Sequence, residues 1–362
     1  MKHVLINCLV LNGSNSGYRT VIRNLYENRY DIQKYHGIKF IFLFQQNGFE
    51  SINKPASEDA IIVSNFKNKW FRGLAEQILV NYHAISHDCN IIFMPATFGL
   101  LFPLRKCVTF VHTNTAFILE PHLRGRSRLQ QLAHNILSKI TYYTSSSLVF
   151  TSETTRQEYF QYLGQEPKGE IIGNGFSWDR TTPLRIKANR SSENFILCVG
   201  QIYRLKNFHL VADALTILKR QDPYWHDFRL KIVGTIQEDD YINELLQFSF
   251  VDHYQDLNNE QINQLYGDAN YFVNPSLFEG FSMTVAEALI SSNVVLISNI
   301  PTHVEIYNDE HVYFFDPRSA QDLAHLLQIS RDKQPKLISN DFKQRFSHSE
   351  FQRKLAVAFD EI

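Results

Sequence analysis

Two carboxylates eight positions apart, Glu279 and Glu287, bracket the entry of a predicted helix in the run Asn274-Pro-Ser-Leu-Phe-Glu-Gly-Phe-Ser-Met-Thr-Val-Ala-Glu-Ala-Leu. A buried strand breaks at Pro275 and a helix begins near Met283, which leaves Glu279 in the loop and Glu287 about one turn into the helix. The backbone N–H groups of Phe281, Ser282, Met283 and Thr284, with Gly280 just before them, then form the open N-terminus of a helix. Unpaired donors and the helix dipole make such an end a cradle for an anion such as a diphosphate. Carboxylates beside it are unsuited to phosphate and suited to hydroxyls, one on a sugar and one on a ribose. Taken singly, the same two acids read as a solvated loop acid and a helix-face acid; the strand, proline, glycine and helix entry around them favour the binding reading.

The elements that must position this run follow from the rest of the chain. Short apolar runs alternate with longer amphipathic segments, the pattern of strands and helices around mostly parallel sheets. In the first half, strands are predicted at His3 to Leu9, Lys39 to Phe44, Ile91 to Met94, Val108 to His112, Ser147 to Thr151 and Glu170 to Ile172. Helices fall at Thr20 to Tyr26, Trp70 to Ile85, Leu129 to Tyr143 and Thr154 to Leu163, the last with Ser152 as its cap. The pattern lapses between Asn174 and Asn194 and resumes with a strand at Phe195. Strands at Phe195 to Val199, Arg229 to Val233, Val251 to Tyr254, Tyr271 to Asn274, Val294 to Ser298 and Tyr313 to Phe315 then alternate with helices at Phe208 to Gln221, Tyr241 to Phe248, Asn258 to Tyr266, Met283 to Ile290 and Ala320 to Ile329. The expected fold class is α/β, with two doubly wound Rossmann-like domains facing across a cleft. They are 1–180 and 195–340, joined by a linker at 181–194 and followed by a terminal helical segment at 341–362. Ligands of open parallel sheets sit at the carboxyl ends of strands, so the site belongs in those loops.

On these residues the chain resembles family 4 of the retaining, nucleotide-sugar-dependent glycosyltransferases, the glycosyl transferases group 1, which have the GT-B architecture. Glu279 and Glu287, with seven residues between them, match the hallmark of that family, as do Asn274-Pro275-Ser276 and Glu279-Gly280-Phe281. Val199-Gly200-Gln201-Ile202-Tyr203-Arg204-Leu205-Lys206 resembles its second signature, and Ile232-Val233-Gly234 also reads like family text, so the likeness covers about 195–330. The resemblance implies transfer of a sugar from a UDP-, GDP- or TDP-linked donor to a hydroxyl of a glycan or lipid-linked glycan acceptor, in bacterial surface polysaccharide biosynthesis, without metal or other cofactor. It makes the first domain acceptor-binding and the second donor-binding. Glu279 would orient the sugar and Glu287 the ribose, Lys206 and Arg204 would hold the pyrophosphate, and His112 would reach the sugar from the other domain. The loop after the first strand, with Gly13, Ser16 and Gly17, would approach the donor phosphates or the acceptor. The chain departs from the pattern at Gln201, where the family has Arg, and Arg204 is the candidate to replace it. That departure leaves open an alternative, a weakly active transferase-like subunit that binds nucleotide sugar or a partner in a synthase complex.

Composition narrows the remaining classes. With 36 Lys and Arg against 37 Asp and Glu, the formal charge of -1 gives no global field for a polyanion, and no nucleic-acid partner is expected. A dinucleotide fingerprint fails, because only Gly13 and Gly17 punctuate the first loop and Gln45-Gln46 stands where an acid should follow strand two. His83, His87 and Cys89 lack a fourth ligand, so no metal site is expected. Scattered cysteines fit a reducing, cytoplasmic compartment, with no signal-peptide core and no span of about 20 apolar residues. Two segments, Lys67 to Arg72 and Arg124 to Arg128, put basic residues ahead of amphipathic helices. These helices either bury one apolar stripe against the first sheet or make peripheral membrane contact.

Overall fold

The computed structural model describes residues 1–11, 17–112, 128–178, 193–291 and 294–362. The chain divides into two compact units. The first holds the described residues up to Gly175 together with Phe346–Ile362, and the second those of Phe176–Arg345.

Unit 1 runs β1 (Lys2–Asn7), α1 (Gly17–Glu27), α2 (Arg29–His36), β2 (Ile38–Gln45), α3 (Gln46–Ser51), β3 (Ala60–Val63), α4 (Lys69–Ser86), β4 (Ile91–Met94), β5 (Lys106–Val111), α5 (Arg128–Thr144), β6 (Ser147–Phe150), α6 (Glu153–Leu163) and β7 (Glu170–Ile171). Its sheet has the order β3-β2-β1-β4-β5-β6-β7, every pair parallel, with Leu5 between Ile41 and Ile92 in register. Covering both faces of a parallel sheet requires strands apolar on both sides, and β2 meets this: Phe40, Phe42 and Phe44 enter one core and Ile41 and Leu43 the other.

Unit 2 runs β8 (Phe195–Val199), a 3-10 turn at Arg204–Lys206, α7 (Phe208–Gln221), β9 (Arg229–Val233), α8 (Asp239–Leu245), β10 (Val251–Tyr254), α9 (Asn259–Asp268), β11 (Tyr271–Asn274), α10 (Met283–Ile290), β12 (Val294–Ser298), α11 (Pro301–Ile306), β13 (Tyr313–Phe315), α12 (Ala320–Ile329) and α13 (Asn340–Arg345). The sheet is again wholly parallel, in the order β10-β9-β8-β11-β12-β13. Both units are thus parallel-sheet α/β domains, as the sequence leads one to expect. Most predicted strands and helices of unit 2 recur with the same ends; β8 and β9 stop at Gly200 and Gly234, and β11 stops at Asn274-Pro275.

Four elements depart from expectation: α2, α3, β3 and α11 are present where no regular structure is predicted. In α2 only Ile32 is buried, so its sequence carries almost no periodic signal. The terminal helix α14 (His348–Asp360) returns to unit 1. Phe351, Leu355 and Phe359 enter the core with Val4, Ile6 and Phe93, and the Phe359 ring lies 5.5 Å from that of Phe93. Its approach leaves no room at Gly175, where a Cβ would stand 2.9 Å from that of Phe351. Most of the predicted linker at 181–194, its residues 181–192, lies outside the described residues.

Candidate active site

The β11–α10 connection is built by its own polar side chains. Asn274, at the end of β11, accepts from the Ser276 N–H through Oδ1 (3.1 Å) and donates through Nδ2 to Ser282 Oγ (2.7 Å), closing the loop across its base. Ser282 precedes α10 with φ 70°, ψ 75°, a left-handed conformation that a non-glycine residue adopts at a cost of about 1–3 kcal/mol. Its carbonyl accepts from the buried Tyr307 hydroxyl (2.8 Å), and Ser298 Oγ and Thr302 Oγ1 hold the carbonyls of Ser276 (2.6 Å) and Glu279 (2.8 Å). Ser282 makes no side-chain cap to α10, and the first-turn N–H groups of a helix have no partner within it. Met283 and Thr284 begin that turn, as expected. The Phe281 ring, by contrast, is packed 5.5 Å from that of Phe176.

Glu279 meets Lys206 at this loop. Lys206 Nζ donates to Glu279 Oε1 at 2.6 Å, and Ser276 Oγ donates to the same oxygen at 2.7 Å. The side chains are 16% and 11% exposed, so water screens the pair little. Burial alone would raise the Glu279 carboxyl, but the Lys206 charge, His303 and the hydrogen bonds hold it below the usual carboxylate range. Burial likewise opposes the Lys206 charge, and Glu279 nonetheless keeps its ammonium above the ordinary value. The Leu277 N–H donates to the Leu205 carbonyl (2.9 Å), fastening the loop to the turn that carries Lys206.

The Lys206 stem passes over Gly200, whose added Cβ would lie 3.5 Å from Lys206 Cε. Gly200 and Gly234 end the adjacent strands β8 and β9 so closely that a Cβ on Gly234 would stand 1.8 Å from the Gly200 carbonyl oxygen. Gln201 is exposed. Glu287 lies in α10, where its Oε2 accepts from the Tyr266 hydroxyl at 2.9 Å. Burial and the charges of both Glu279 and Glu287 push the Tyr307 phenol up, so Tyr307 is a neutral donor standing within the field of the two acids.

Arg204 is placed differently from expectation. Its guanidinium is gripped by both oxygens of Glu244 in α8 (Nη1 at 3.0 Å, Nη2 at 2.6 Å), so it is turned onto α8, whereas Lys206 pairs with Glu279. A bidentate carboxylate satisfies the planar guanidinium better than a lone loop position can.

In unit 1, His112 follows β5, half-buried beside Phe110 and edge-on to the Tyr18 ring at 4.7 Å. Burial pushes its imidazole down to about 3, against a hydrogen bond to the Pro95 carbonyl, so the ring is neutral. With one nitrogen donating to that carbonyl, Nε2 is left as an acceptor without a partner among the described residues. It can therefore accept a hydrogen bond from a hydroxyl. Gly13 and Ser16 lie outside the described residues; Gly17 begins α1, directly before Tyr18. Tyr18, Tyr266 and Tyr307 escape sequence reasoning, since a lone Tyr carries no local pattern.

Comparison with known proteins agrees with this geometry. Residues 179–341 match the family of glycosyl transferases group 1. An uncharacterized glycosyltransferase of Methanocaldococcus jannaschii, MJ1607, is 25% identical over 194 residues, 49% of this chain and 48% of the relative, so the match spans about half of that protein's length. Among solved structures, Anabaena Alr3699/HepE in complex with UDP-glucose superposes with a TM-score of 0.74 at 16% identity over 100% of both chains. Sucrose-phosphate synthase from Thermosynechococcus elongatus gives 0.72 at 14% identity, over 100% of this chain and 99% of that one. At such identities the likeness is one of fold, and the fold is that of GT-B glycosyltransferases. Glu279, Glu287 and Lys206 all lie inside the segment that is similar to the group 1 glycosyltransferases.

Proposed function

We propose that this chain transfers a sugar, with retention of configuration, from a nucleoside diphosphate to a hydroxyl of a glycan or lipid-linked glycan in the making of a bacterial surface polysaccharide. The observation that carries the reading is the Lys206–Glu279 pair fastened in front of the uncapped N-terminus of α10. As the glycosidic C–O bond breaks, its electron pair passes to the diphosphate, and a fixed ammonium and helix N-terminus stabilise the charge that develops there. Glu279 is placed to accept from a sugar hydroxyl and Glu287, steadied by Tyr266, from the ribose. The acceptor oxygen attacks the face the diphosphate leaves, and a diphosphate oxygen takes its proton. Lys206 and the helix end supply the positive charge a divalent cation would otherwise bring, so the reaction needs no metal. UDP and UDP-glucose in the Anabaena structures support a nucleotide-sugar donor. The four free, buried cysteines support a cytoplasmic location. No described helix is long and apolar enough to cross a membrane.

The test is release of nucleoside diphosphate from UDP-, GDP- and TDP-sugars. Glu279→Gln and Lys206→Ala should each lower kcat by about a hundredfold or more, while a nucleotide-induced rise in Tm shows the variants folded. The competing reading, a weakly active binding subunit, is favoured by Gln201 and by the engagement of Arg204 with Glu244. It predicts a Tm shift with no diphosphate release in any form.

A further inference from the structure

The outer surface of unit 1 carries an apolar face that the proposed transfer does not use. Every exposed position of α4 from Phe71 to Ile85 is large and apolar: Phe71, Leu74, Ile78, Tyr82 and Ile85, spaced at three or four residues along one side. The helix already buries a different stripe, Val80 and Ala84, against Leu5, Ile41, Leu43 and Ile92 of the sheet. Packing on the sheet therefore does not account for the outer row, of which Ile78 is 71% exposed.

That row continues sideways. Asn81 of α4 donates to the Phe102 carbonyl (3.0 Å) and accepts from the Leu104 N–H (2.8 Å), while Thr144 and Thr141 of α5 hold the Leu100 carbonyl (2.7 Å) and the Gly99 N–H (2.9 Å). The segment between β4 and β5 is thus pinned to both helices, and it presents Phe102, 80% exposed, and Leu104 between them. On α5 the exposed positions are Leu132, Ile136, Lys139 and Tyr143, again three or four apart. Of the 19 large apolar side chains exposed among the described residues, ten lie on these three neighbouring segments. A contiguous patch of that kind on a soluble domain marks a surface that something covers.

Charge selects the occupant. Among the residues of this stretch whose side chains are described, Lys67, Arg72, Arg105, Lys106 and Lys139 stand against Glu76 and Asp88, in a chain whose totals are 36 and 37. A second copy seated face to face would bring two such basic surfaces together, whereas an anionic lipid surface complements them while its acyl boundary receives the apolar row. We propose that the face formed by α4, the β4–β5 segment and α5 lays unit 1 on an anionic membrane surface. The inference rests on unit 1 alone and stands or falls separately from the transfer reaction.

Flotation of the full chain with vesicles tests it, using phosphatidylcholine alone and phosphatidylcholine with about one third phosphatidylglycerol. The chain should float with the anionic vesicles and be largely released as salt rises from about 0.1 to 0.5 M. Leu74→Asp with Ile78→Asp should lower partitioning by about tenfold or more, with circular dichroism and Tm unchanged because both side chains face outward. Phe102→Ser, in the connecting segment, should lower it independently. Failure of the unaltered chain to float, equal binding to both vesicles, or variants that bind as it does would overturn the proposal. So would a micromolar dimer that the double variant converts to monomer, which would give this face to a second copy.

Discussion

Tyr307 shows how much of the site depends on a residue outside the family text. Its hydroxyl holds the carbonyl of Ser282, the one residue of the β11–α10 loop in a left-handed conformation, and burial with two nearby carboxylates keeps that hydroxyl protonated. Tyr307→Phe leaves a buried carbonyl without its donor, which costs about 1–3 kcal/mol. The variant should unfold at lower temperature and bind nucleotide more weakly, as measured by thermal scans and titration calorimetry. An unchanged Tm would mean that Ser282 is held by other contacts. Glu279, Glu287 and Lys206 were legible in the sequence because their spacing relative to one strand and one helix is fixed locally. Tyr307 and Tyr266 were not, since their roles arise from tertiary contacts. The Arg204–Glu244 pair was not legible for the same reason: nothing near Arg204 in sequence announces Glu244, forty positions on.

Among the elements, the strands were the most legible, because burial on both faces writes them as unbroken apolar runs. The edge strand β3 and the helix α2 were invisible, since each buries little: Ile62 in β3 is exposed, and α2 is covered on one side by a single isoleucine. The terminal helix was legible as a helix, but its destination was not. An apolar stripe says that something is covered without saying what. Phe359 is fully buried against β2 and β4 residues, so Phe359→Ala should destabilise unit 1 by about 3–5 kcal/mol. Hydrogen exchange read segment by segment checks this: faster exchange should appear in β1, β2 and β4, and if it appears in unit 2 instead, the helix belongs there.

Across the whole molecule, one buried histidine and two half-buried ones tie stability to pH. Burial depresses His303 and His348 to about 4 and His112 to about 3. Folded, they are neutral; unfolded, they take up protons below about 6.5. The unfolded state thus binds more protons between about 6.5 and the folded values, and stability falls with falling pH across that window. Each histidine contributes up to about 1.4 kcal/mol per pH unit there. Denaturant midpoints should drop between pH 7 and 5, and His348→Gln should flatten the loss measured for unit 1. A midpoint independent of pH would show these rings charged inside the fold.

The return of residues 346–362 to the first sheet also bears on how the protein is made. A ribosome delivers β1 through β7 early, yet the apolar surface that Phe351, Leu355 and Phe359 fill stays uncovered while all of unit 2 is being synthesised. The domain begun first is finished last, and throughout that interval its half-closed core is a natural client for chaperones.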